Sequence, residues 1–170
     1  MIRAVREVRE MELRPELMPP VLDDAEVARL AELAAYLDGA PPDRSADALA
    51  EFNRLAGTDL AWQDFQGVHN AEEHEAWVRR VLYRGRIRPA ADVTRAELVE
   101  VVRRAMSIDE YPDDHEAYMA VFDANVPMSG ASDMIFWPPE HHPPSVGAYS
   151  TAPERIVGWA LSPKNAPIRL

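Results

Sequence analysis

The sequence has no cysteine among its 170 residues, which removes disulfides, thiolate–zinc centres and cysteine nucleophiles from consideration together. Long hydrophobic runs are missing too. The longest span about four or five residues, far below the ~20 a membrane helix needs, and the opening Met-Ile-Arg-Ala-Val-Arg-Glu lacks the apolar stretch of a signal peptide. The expectation is a soluble, cytoplasmic protein with no membrane contact.

The usual chemical fingerprints are absent as well. There is no glycine-rich nucleotide loop, no Gly-x-Ser-x-Gly elbow, no His-Glu-x-x-His helix and no calcium loop. Familiar enzyme classes usually leave one of these, so the chain leans away from being an enzyme, and no cofactor is expected.

Lysine is nearly absent: arginine supplies 17 of the 18 basic residues. That bias fits an alanine- and arginine-rich bacterial proteome and reveals no activity. Acids dominate, with 29 Asp and Glu giving a net charge of −11. The summed field repels nucleic acid and anionic membranes and attracts basic partners, while also securing solubility.

The residues that are present describe a globular protein. Hydrophobic residues make up 47% and charged residues 28%, with four tryptophans as bulky anchors, and 170 residues suit a single globular domain over 1–170.

Apolar periodicity predicts about six helices. Val27, Leu30, Ala31, Ala34 and Leu37 follow helical spacing behind Asp23 or Asp24 as N-cap, with Gly39 at the end. A second helix, capped by Ser45, buries Leu49, Phe52, Leu55 and Ala56 and stops at Gly57. Asn70-Ala71-Glu72-Glu73 reads as a capping box opening a helix through His74, Trp77, Val78 and Val81 to Gly85. Thr94-Arg95-Ala96-Glu97 is a second capping box, before Leu98, Val101, Val102 and Ala105, with Glu100 and Arg104 pairing on the outer face. A fifth helix starts near Pro112 and buries Tyr118, Val121 and Phe122; a last one follows Thr151-Ala152-Pro153-Glu154.

Strand signals are few. Leu60 to Val68 alternates apolar and polar residues as a short strand or aromatic-lined loop, and Met134-Ile135-Phe136-Trp137 is the best strand candidate. The expected fold is mainly α, irregular, with proline-rich loops and at most a short β-hairpin.

Two segments stand apart from the helices. Residues 1–22 form a charged N-terminal arm that packs on its own domain or, in a homodimer, exchanges with a second subunit. Residues 125–149 hold five prolines, two glycines and His141-His142, and form a long ordered loop that no helix can run through. Ordered loops on rigid bodies are where function concentrates.

Four features could carry chemistry. The run Asp109-Glu110-Tyr111-Pro112-Asp113-Asp114-His115-Glu116 packs five acids into eight positions, either as a solvated helix start or as an acidic patch for lysine or arginine on a partner. Phe136 and Trp137 offer rigid apolar area, as recognition surface or as a cover for the core. His69, His74, His115 and His141 are weak metal candidates, since His69 and His74 lack the i,i+4 spacing that puts two ligands on one helical face; His74 also reads as a satisfied core histidine. Arg79, Arg80, Arg84, Arg86 and Arg88 form a basic cluster that pairs more readily with the protein's own acids than with nucleic acid.

These features suggest an acidic protein-interaction module, of inhibitor or immunity type, that binds a basic partner through Asp109, Glu110, Tyr111, Asp113, Asp114, Phe136 and Trp137. The alternative is a metal-dependent hydrolase or small-molecule enzyme using histidines and carboxylates near the 125–149 loop.

Overall fold

A computed structural model describes residues 11–112, 114–136 and 152–162, apart from the side chains of Asn70 and Ala71. The chain is mainly helical. No strand occurs among the described residues, and no helix there is long and apolar enough to cross a membrane. The chain divides into two compact units: Pro19–Ile87, and a second joining Met1–Met18 to Arg88–Leu170.

The first unit contains α1 (Asp24–Gly39), α2 (Ala46–Ala56), a short α3 (Val68–Ala71) and α4 (His74–Arg86). Asp23 caps α1 by accepting the Glu26 amide at 2.9 Å. Gly57 ends α2 in the left-handed conformation, with φ of 68°, where a residue without Cβ avoids a steric penalty. α1 packs on both α2 and α4. Their shared core holds Val27, Leu30, Leu37, Phe52, Phe65 and Val78. Phe52 meets Phe65 edge-on at 4.9 Å, and Trp77 leans on both rings, the offset geometry that aromatic quadrupoles favour.

The second unit is built on α5 (Arg95–Met106), which packs on α6 (His115–Ala124) and α8 (Pro153–Ala160); α7 (Asp133–Phe136) is a single turn. The Thr94 capping box closes as its residues dictate: Thr94 Oγ1 accepts the Glu97 amide at 3.2 Å, and Glu97 accepts the Thr94 amide at 2.8 Å. Residues 11–18 lie on this unit through the buried Leu13 and Leu17. Arg14 Nη2 also donates to the Ala91 carbonyl at 2.7 Å. Of the expected 1–22 arm, residues 1–10 lie outside the described residues, and 19–22 belong to the Pro19–Ile87 unit.

The structure corrects several local expectations. Leu60 to Val68 is not a strand: a 3-10 turn spans Trp62–Phe65, closed by Asp64 accepting the Ala61 amide at 2.8 Å, and α3 follows. The helix expected from Asn70 instead breaks at Glu72, whose extended backbone separates α3 from α4. α6 starts at His115, three residues beyond Pro112. The amides of Tyr111 and His115 bond to the Ser107 and Tyr111 carbonyls, closing turns ahead of the helix. Ser45 precedes α2 without capping it, because its hydroxyl donates back to the Pro41 carbonyl at 2.8 Å.

Glu100 and Arg104 do pair, at 2.8 Å, but inside the unit, at 6% and 8% exposure. Burial pushes the Glu100 pKa upward, and hydrogen bonds from Arg103 and Arg104 outweigh it, leaving the carboxyl below its usual range. Arg104 also donates to Tyr118 Oη at 3.0 Å and to the Met11 carbonyl at 3.1 Å, and its guanidinium carbon lies 5.5 and 5.6 Å from the ring centres of Tyr111 and Tyr118. A buried ion pair needs such extra partners to offset its desolvation.

Candidate functional site

The strand expected over Met134–Trp137 is a helical turn as far as Phe136, and Trp137 lies outside the described residues. The cause is the approach to α7. Gly130 takes a left-handed φ of 66°. The Asp123 carboxylate at the end of α6 then accepts both the Ser132 amide and the Ser132 hydroxyl, each at 2.7 Å. The amides of Asp133, Met134 and Ile135 close successive turns onto the carbonyls of Gly130, Ala131 and Ser132. Those tertiary and turn bonds override the β propensity of the apolar residues.

The turn sorts its side chains. Met134 and Ile135 are buried, while Asp133 and Phe136, three residues apart and therefore on one side of the turn, face solvent. Phe136 is 52% exposed. A half-exposed phenyl ring one turn on from an exposed aspartate, on backbone held by two charge-assisted hydrogen bonds, offers a preorganised apolar surface with negative charge nearby. Phe136 is legible in the sequence; Asp133 is not, because its alignment with Phe136 depends on the turn being helical.

The acidic run is only partly on the surface. Asp109, Glu110 and Asp114 are exposed, and Asp113 lies outside the described residues. Glu110 pairs with Arg103 at 3.4 Å. Tyr111 turns inward, edge-on to Tyr118 at 5.7 Å and beneath Arg104, so it serves the buried network. His115 Nδ1 contacts the Pro112 carbonyl at 3.0 Å.

The other histidines meet in an unexpected place. His69 ends up parallel to His74, ring centroids 5.8 Å apart, because the break at Glu72 folds α3 back beside α4. Sequence spacing argues against their meeting only if one continuous helix carries both. The two rings line an open cleft of about 310 Å³ with Ala35, Asp38 and Gly39.

Asp38 is the organiser of that cleft. Its Oδ1 accepts the Gly67 amide at 2.8 Å, and its Oδ2 accepts the His69 amide and contacts His74 Nε2, both at 2.9 Å. The His69 amide, with the His74 ring and the Gly67 amide, holds the Asp38 carboxyl below the ordinary carboxylate range. Three bonds occupy most of the carboxylate's acceptor capacity, and no group of three metal-ligating side chains occurs among the described residues. Asp64 and Glu73, two carboxylates near these histidines in sequence, are placed elsewhere: Asp64 closes its own turn, and Glu73 precedes α4 at the surface. His141 lies outside the described residues.

The arginine cluster is largely consumed within its own unit. Arg79 pairs with Glu75 and Asp24, each at 3.0 Å, Arg80 with Glu72, and Arg86 with Glu26 at 2.6 Å. No protein family, curated protein or solved structure matches this chain.

Proposed function

We propose that the protein is an acidic interaction module of inhibitor or immunity type, which binds a basic protein partner through the outer face of α7. The observation that carries this reading is the half-exposed Phe136, one turn on from the exposed Asp133, on a turn clamped by Asp123 and Ser132. Aromatic residues are enriched at protein interfaces, and a carboxylate at the rim favours a basic partner. The net charge of −11 supplies long-range attraction for a basic partner. Asp109, Glu110 and Asp114 add exposed negative charge to the same unit.

The test is affinity capture from the native cells with the wild-type chain, Phe136→Ala and Asp133→Asn in parallel. The expected result is a basic protein retained by wild type, released by raised salt, and lost or weakened at least tenfold by each substitution. Capture of no basic protein, or equal retention by all three chains, overturns the reading.

A further inference from the structure

Met18 sits where a soft, oxidisable atom meets two fixed donors. Its side chain is a large hydrophobic one left 42% exposed. On its inner side, Arg104 Nη1 donates to Met18 Sδ at 3.7 Å, and Tyr118 Oη lies 4.0 Å from the same sulfur. Arg104 and Tyr118 are both buried and held by other bonds, so neither can follow the thioether if it moves. Arg104 Nη2 holds the Met11 carbonyl at the other end of the same segment. One guanidinium therefore fastens residues 11–18 at both ends.

We propose that Met18 is an oxidation site whose sulfoxide loosens the turn Pro15–Leu17 from Arg104. A thioether is a weak acceptor, and it fits the inner side only because sulfur asks little of its donors. A hydroperoxide attacks from the open side: a sulfur lone pair forms the S–O bond, the O–O bond breaks, and the departing oxygen leaves as water or alcohol after taking a proton. Sulfur is oxidised by two electrons and the peroxide is reduced by two. The product is a neutral but strongly dipolar sulfoxide, with its oxygen on the open side and the positive sulfur end facing the Arg104 guanidinium. The attraction at that end of the segment becomes repulsion. The amides of Leu17 and Met18, bonded to the Arg14 and Pro15 carbonyls at 3.0 and 3.1 Å, report the loosening directly.

The experiment uses the full chain in a Met11→Leu background, because Met11 is also exposed. Dilute hydrogen peroxide is followed by peptide mass spectrometry and amide hydrogen exchange, with Met11→Leu/Met18→Leu as the partner variant, since leucine conserves the volume. Met18 should be oxidised well before the buried Met134, and exchange at Leu17 and Met18 should accelerate at least tenfold. Methionine sulfoxide reductase should restore the original rate, and peroxide should leave the double variant unaffected. Unchanged protection in chains fully oxidised at Met18 overturns the proposal. Equal acceleration in the double variant, or oxidation of Met18 no faster than that of Met134, overturns it as well.

Discussion

Replacing Asp123 by alanine should unlock α7 without unfolding the protein. Both carboxylate oxygens of Asp123 are occupied by Ser132, one by its amide and one by its hydroxyl, each at 2.7 Å in partly buried surroundings. Hydrogen bonds to a charged group contribute about 1.5–3 kcal/mol each, and partial exposure places these two at the low end, for a combined loss of ~3 kcal/mol. At 1.4 kcal/mol per factor of ten, the local opening equilibrium should rise about 100-fold. The assay is amide hydrogen exchange at Ser132, Asp133, Met134 and Ile135, whose amides bond to Asp123 or to the turns that it fixes. Amides in the middle of α4 serve as the reference. Asp123→Asn keeps one acceptor and should fall between, about tenfold faster than wild type. If Asp123→Ala changes these four amides by less than about threefold, the carboxylate does not hold the turn, and preorganisation of Phe136 must have another source.

Two further outcomes test the first unit. The Asp38 pKa is lowered by the His69 amide, the His74 ring and the Gly67 amide, so its stabilisation is fully present above the unfolded value near 3.8 and is lost as pH falls through the lower folded value; Asp38→Asn should flatten that acid limb in a pH series of denaturant midpoints. Gly57 has φ of 68°, and nothing lies within 4 Å of the point an added methyl group would occupy, so Gly57→Ala should cost only the left-handed backbone penalty, about 1–2 kcal/mol by urea denaturation, and a neutral result would refute that account.

What can be read from sequence follows the range of the interactions. α1, α2 and α5 are legible because their apolar stripes and end signals lie within a few residues of one another, and the Thr94–Glu97 box is local by nature. The break between α3 and α4 is not, because its determinant is Asp38, which captures the Gly67 and His69 amides from about thirty residues away. The same is true of α7: Met134-Ile135-Phe136 has strand-like side chains, and the carboxylate that bends it into a turn is Asp123. The rule that a charged pair at i,i+4 is solvated puts Glu100 and Arg104 outside. Their burial depends on Tyr118 and on the Met11 carbonyl, contributed by residues 14 and 93 positions away. The outward face of α7 is half legible: Phe136 from its chemistry, Asp133 only once the turn is known.

The Asp38 clamp has a kinetic side. Its three bonds close loops of 29, 31 and 36 residues, so each must wait for chain ends that diffuse together at an entropic cost, whereas α1 and α2 meet across a short connection. On loop length alone the clamp closes after the α1–α2 pair, yet over shorter separations than the 55 and 60 residues that Arg79–Asp24 and Arg86–Glu26 span in the same Pro19–Ile87 unit. A bond formed late on the way in is broken early on the way out. A clamp of that kind bears more on how long the folded unit survives than on how quickly it is reached.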